Sequence, residues 1–200
     1  MAPETNSDRP AWRGINHLAL VTDDMDTTVR FWHGVLGAEI IATVGAPGFR
    51  HYFFRIGTGQ SVAFFEYADA ELETFMKPAG IPYPPGASQF DHLSLNLADE
   101  EALEDLRRRL KAFGCEVTEV VDHGFIRSIY FNDPTGIALE ASYWTHGEPA
   151  DGDTVDHTDD SWFGDADPVP ALREVMDHGT VDATPATRLT DDIVTPAPHA

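Results

Sequence analysis

Two stretches of the chain alternate apolar and polar residues with a period of two. In 15–21, Ile15, His17, Ala19 and Val21 fall on one side, and Leu18 and Leu20 on the other. In 90–96, Phe90, His92, Ser94 and Asn96 lie opposite Leu93 and Leu95. Such alternation marks a strand whose two faces meet different surroundings. The stretches are also copies of each other. INHLALVTDD (15–24) and FDHLSLNLAD (90–99) align without a gap at an offset of 75 residues, the mark of an internal repeat.

After each copy the apolar period lengthens to that of a helix. MDTTVRFWHGVLGAEI carries Val29, Trp32, Val35 and Leu36 on one stripe, and EEALEDLRRRLKAFGCEV carries Leu103, Leu106, Leu110 and Phe113. The stripes stop at Gly37 and Gly114, as helices commonly do. Strand-like runs follow: FRHYFFRIG and SVAFFEY in the first copy, EVTEVVDH, IRSIYFND and GIALEAS in the second. The pattern predicts an α+β fold of two βαβββ modules, 13–76 and 90–146, joined by a Pro/Gly-rich linker at 77–89. Residues 147–200 read as an acidic, partly disordered extension. Within it only PVPALREVMDHG (168–179) has a helical pattern, and SWFGD (161–165) offers an apolar anchor.

The alternation also assigns faces. The leucine faces suit packing on the module's own helix, which leaves His17 and His92 on the opposite side. Glu66 shares a face with Val62 and Phe64, and Glu140 with Ala138 and Ser142. The His-to-Glu spacings are 49 (66 − 17) and 48 (140 − 92) residues. If the non-helical faces of the two modules form one cleft, His17, Glu66, His92 and Glu140 converge in it. A buried carboxylate left unpaired costs several kcal/mol. A divalent cation removes that cost and holds the imidazoles as neutral ligands. Two histidines with one or two carboxylates suit Fe(II), Mn(II), Ni(II) or Zn(II). Each residue taken singly also fits a core histidine or a solvated strand-end glutamate; the duplication is what points to a metal.

Composition narrows the options. The net charge is −21, and residues 147–200 contribute −11 of it through 13 acidic and 2 basic side chains. That balance excludes nucleic acid as a partner and leaves a small molecule. One cysteine, Cys115, allows no internal disulfide and reads as buried filler. No run is apolar enough to span a bilayer, and the first residues lack a secretory pattern, so no membrane partner and a cytoplasmic setting are expected. Phe49, Tyr52, Phe54 and Phe64 read equally as core or as pocket wall. Arg107–Arg109 read as a solvated face. Arg127 reads as a salt-bridge partner or as a contact for an anionic substrate. His33 and His51 read as surface residues, and His146, His157, His178 and His199 as solvated.

The motifs GINHLAL, FWHGVLG, FDHLSL and YFNDPTGIALE, within residues 13–144, resemble the vicinal oxygen chelate superfamily. That group includes glyoxalase I, the fosfomycin and bleomycin resistance proteins and the extradiol dioxygenases. The resemblance implies paired βαβββ units cupping a metal, and a homodimer. Residues 121–140 resemble the extradiol signature, with His123, Ile129, Tyr130, Asp133, Pro134, Gly136 and Glu140 in its places. By that resemblance His17, His92 and Glu140 bind Fe(II), while His123 and Tyr130 serve the substrate and oxygen. The expected reaction is ring cleavage of a small catechol-like aromatic. Glu66 speaks for a different member, since glyoxalase I has a metal-binding, proton-moving Glu in the corresponding place. A Ni(II) or Zn(II) isomerase or lyase is the alternative it implies, and a protein that sequesters a small toxic molecule is the third.

Overall fold

The computed structural model describes residues 13–69, 71–72, 90–147 and 169–181. The linker at 77–89, the SWFGD anchor and the end of the chain from 182 lie outside the described residues. The chain divides into two compact units. One spans Ala11–Thr154 and holds both modules; the other combines Met1–Pro10 with Val155–Ala200. The described part of the latter is the exposed helix Pro170–His178, on the stretch where the helical pattern lay.

The first module runs β1 (His17–Val21), α1 (Met25–Val29), β2 (Glu39–Ala46), β3 (Phe49–Gly57) and β4 (Gln60–Tyr67). The second runs β5 (Leu93–Asn96), α2 (Glu100–Ala112), β6 (Val121–Asp122), β7 (Ile126–Asn132) and β8 (Ala138–Trp144), with Pro170–His178 as α3. Each module is a four-stranded mixed sheet, ordered β1-β4-β3-β2 and β5-β8-β7-β6. The first and last strands of each module pair in parallel. Two elements differ from the sequence pattern. Glu39–Ala46 forms β2, a strand outside the strand-like runs of the first copy. EVTEVVDH yields only the two residues of β6 and a bridge from Val117 to Phe131, with Thr118 N donating to Tyr130 O at 3.1 Å between them.

Both helices begin on an aspartate. The Asp24 carboxylate accepts from Thr27 N at 3.0 Å, and the Asp99 carboxylate from Ala102 N at 2.9 Å. These caps satisfy donors that no helical carbonyl can reach. Beyond Val29, α1 widens into a π-helical turn over Arg30–Val35, with Leu36 N donating to Phe31 O at 2.9 Å. Gly37 and Gly114 follow the helical segments with φ of +77° and +79°, backbone that a side chain would strain.

The helix stripe packs as predicted except at Phe113, which is exposed, and Leu20, Leu93 and Leu95 of the strands are half-buried against the same core. Leu103 and Leu110 of α2 are fully buried with Ile129, Phe131 and Leu139. Each such side chain contributes about 1.5–3 kcal/mol on leaving water. Trp32 is fully buried; its ring packs on Phe54 and Phe64, at centroid distances of 6.3 and 5.4 Å. Phe54 and Phe64 are therefore core rather than pocket wall. The modules meet on these helix sides. Trp32 Nε1–H reaches Asp133 Oδ2 at 3.4 Å, in the β7–β8 turn, and the Arg109 guanidinium donates to Gly34 O at 2.9 Å and to Val35 O. Each sheet thus keeps a second, open face that takes no part in this shared core. Among the described residues, no helix is long and apolar enough to cross a membrane.

Candidate metal centre

Strand register decides which residues reach each open face, since paired residues point the same way. In the second sheet Ser94 pairs with Glu140, Asn96 with Ser142, and Tyr130 with Glu140. The open face therefore carries His92, Ser94, Asn96, Ser128, Tyr130, Glu140 and Ser142. Glu140 is only 4 % exposed, and its carboxylate meets His92, Ser128 and Tyr130 there. His92 Nε2 stands 2.7 Å from Glu140 Oε2, and His92 Nδ1 lies 2.6 Å from Asp91 Oδ1. Tyr130 donates its hydroxyl to Glu140 Oε1 at 3.3 Å, and Ser128 Oγ donates to the same oxygen. His123 Nε2 lies 2.9 Å from Tyr130 OH. Burial and the Glu140 charge push the Tyr130 phenol above its ordinary pKa, so it stays a donor. A continuous chain runs from Asp91 through His92, Glu140 and Tyr130 to the exposed His123.

The first sheet is built differently. Its open face bears His17, Ala19 and Val21 from β1, and Ser61, Ala63, Phe65 and Tyr67 from β4. Pairing adds Phe49, His51, Phe53 and Arg55 from β3. His17 donates through Nδ1 to Asn16 Oδ1 at 2.8 Å, and its ring meets Phe53 edge-on at 5.4 Å. His51 is not a surface residue: it is 8 % exposed, stacked on Phe65 at 3.5 Å and 9°. Phe65 in turn lies parallel to Tyr67 at 5.6 Å and 4°. Burial lowers the His51 pKa, so the ring is neutral near neutral pH. A cleft of about 680 Å³ adjoins Phe53, lined also by Asn16, Arg55, Gln60 and Ser61.

Glu66 does not join His17. Leu20 pairs with Phe64, and Glu66 shares the side of Phe64 that faces Trp32. There its Oε1 accepts from Met25 N, the first residue of α1, at 2.8 Å, and its Oε2 meets Arg50. A carboxylate at a helix N-terminus is a favourable arrangement in itself. When His17 is laid on His92, the position equivalent to Glu140 is Ala63. The spacings 49 and 48 look alike, yet they differ by one residue, and one residue turns a strand side chain to the other face.

The structure brings together His92, Glu140, Tyr130 and His123, and leaves His17 and Glu66 elsewhere. Among the described residues, no three His, Cys, Asp or Glu side chains converge as an ion requires. The donor chemistry of the second module still fits a cation. His92 Nε2 and Glu140 Oε2, now in direct contact at 2.7 Å, are a nitrogen and an oxygen of the kind that divalent ions take. The arginines are engaged elsewhere. Arg127 bonds Asp122 and Glu100, at 3.0 Å each, on the helix side, and Arg55 lies 3.5 Å from Glu39. Asp133 is a turn organiser rather than a reacting group, since its Oδ1 accepts from Thr135 N, Thr135 Oγ1 and Ile137 N at 2.8–3.0 Å.

Known proteins bear on this arrangement. The model of the Glyoxalase/Bleomycin resistance protein/Dioxygenase superfamily matches residues 14–141. Protein PA2024 of Pseudomonas aeruginosa is 27% identical over 139 residues, which is 68% of this chain and 89% of that protein. Glutathione transferase FosA of Serratia marcescens is 29% identical over 128 residues, 64% of this chain and 79% of that protein. A glyoxylase/bleomycin resistance protein/dioxygenase domain from Frankia shares the fold at a TM-score of 0.58 and 22% identity, over 69% of this chain and 96% of that one. With two βαβββ modules, the repeated histidine strands and a family model spanning most of both modules, the chain belongs to the glyoxalase/bleomycin resistance/dioxygenase superfamily.

Proposed function

We propose that the protein is a metal-dependent enzyme that cleaves the ring of a small catechol-like aromatic with O2, using Fe(II) held by His92, Glu140 and His17. The observation that carries this reading is the chain from His92 through Glu140 and Tyr130 to His123. Bound Fe(II) supplies a path for electrons between the diolate and oxygen. The protein's own residues handle protons and orientation. Tyr130 OH, beside Glu140 Oε1, donates to an oxygen that gathers negative charge next to the ligands. His123 Nε2, against the same hydroxyl, takes up or returns a proton and passes it to solvent, for which an imidazole is suited. Ser94 and Ser142, 2.9 Å apart, line the polar side. On the other side, Phe53 and the His51–Phe65–Tyr67 stack present flat apolar surface to a ring and keep water from it.

His17 reaches the pair from a second copy of the chain, because in its own chain it lies on a different open face. Mixing His17→Ala with His92→Ala protein restores one intact ligand set per mixed dimer. Recovered metal binding supports the shared site, and its absence at any ratio removes it. The isomerase reading loses its proton-moving glutamate, since Glu66 caps a helix and Ala63 occupies the register position. A transferase reading, raised by the likeness to the protein named Glutathione transferase FosA, calls for cations to hold an anionic thiol. Among the described residues Arg50, Arg55 and Arg127 are each paired with a carboxylate. The decisive experiment is anaerobic loading with Fe(II), followed by a catechol panel and O2. Oxygen uptake with a yellow ring-opened product is expected; no uptake across the panel overturns the proposal.

A further inference from the structure

The residue before each repeated histidine is polar, Asn16 before His17 and Asp91 before His92. In both modules that side chain bonds Nδ1 of the histidine beside it, at 2.8 Å from Asn16 Oδ1 and 2.6 Å from Asp91 Oδ1. Adjacent strand residues ordinarily point to opposite faces. Both pairs sit at the start of their strands, where the chain is not yet held in the ladder. His17 is the first residue of β1, and His92 immediately precedes β5. The same local contact therefore arises twice, in modules whose open faces otherwise share little.

An oxygen acceptor on Nδ1 fixes the proton there and leaves the Nε2 lone pair as the metal donor. In the second module Nε2 is the nitrogen beside Glu140 Oε2, where the cation of the proposed function would bind. We infer that Asn16 and Asp91 are positioning residues that hold a proton on Nδ1 of His17 and His92, so that Nε2, which in His92 faces Glu140, is the nitrogen left to a metal ion. The two are not equal. Asp91 is a charged acceptor and makes its histidine the stronger electron donor, while the neutral Asn16 makes its partner the weaker one. The second module binds the ion first and more tightly, and His17 closes the set. This inference rests on the metal reading above.

The test uses the full-length protein and Fe(II) or Zn(II) competed against a chelator, with histidine side-chain nitrogen NMR on the metal-free protein. Wild type should show Nδ1–H at both residues. Asp91→Ala should weaken metal binding about 10–100-fold and lose the fixed tautomer at His92. Asp91→Asn keeps an oxygen acceptor and should recover the tautomer with part of the affinity. Asn16→Asp should tighten binding. Thermal melts of each variant exclude misfolding as the cause. Affinities unchanged within about twofold in Asp91→Ala and Asn16→Asp, with wild type binding normally, overturn the inference while leaving the metal site intact. Wild-type protein that binds neither metal removes both.

Discussion

The two modules share a fold and a sequence ancestry within the chain, yet their open faces have opposite characters. The second is a polar surface of serines, Asn96 and a connected set of titratable side chains around a nearly buried glutamate. The first is a strip of stacked rings that includes His51 of β3, with His17 of β1 beside it. Both modules have the same scaffold, a helix-capping aspartate and a histidine with a polar predecessor. They do not share the carboxylate, because the strand position that holds Glu140 in one copy holds Ala63 in the other. On the proposed function the difference separates tasks: the second half would supply His92, Glu140 and the proton carriers, and the first would add His17 and a surface for an aromatic ring.

Four substitutions would break or sharpen that comparison. The largest effect is expected at the core both modules share. Trp32→Ala should cost about 3–5 kcal/mol and still leave one thermal transition, since Trp32 touches Phe54 and Phe64 on one side and Asp133 on the other. Two separated transitions would mean that the modules stand independently. Glu140→Ala comes next. It should weaken metal binding by at least about 100-fold, because even residues that only orient a ligand are worth 10–100-fold; that corresponds to about 2.8 kcal/mol. Chelator competition measures it, and a change under about threefold would disqualify Glu140 as a ligand.

Ala63→Glu asks whether the first module can be given what it lacks. Overpacking should cost about 1–3 kcal/mol in a denaturant melt, while metal affinity rises and oxygen-dependent activity falls as a ligand position fills. Unchanged affinity would argue that the Ala63 face does not meet the ion. The smallest effect is expected at Glu66→Ala. Losing a carboxylate at the start of α1 should cost about 1 kcal/mol, with metal occupancy kept within about twofold. Loss of metal in this variant would return Glu66 to the ligand set and revive the isomerase reading.

The repeat, most of the helix stripes and the side on which the strand leucines meet the core were legible in the chain, because each depends on periodicity, which is local. The face that His92 takes on its strand, and the face that Glu140 takes on its own, were legible too, while the register of β5 on β8 is what makes them one face. The placement of Glu66 was not legible. Its spacing from His17 differs from the other by one residue, and only the register of β1 on β4 tells which side that residue reaches. His51 was missed for a related reason. A histidine between Phe49 and Phe53 on an alternating strand belongs to a face, but whether that face is covered depends on the ring of Phe65 across the ladder.

The order of residues by itself determined two βαβββ modules, their cores, and a histidine at the same place in each, because hydrophobic periodicity and capping act over a few residues. Tertiary structure decided which carboxylate meets which histidine. A side chain's face and its partners follow from strand register and from how the helix sides of the modules meet, and those are set by contacts between residues tens of positions apart.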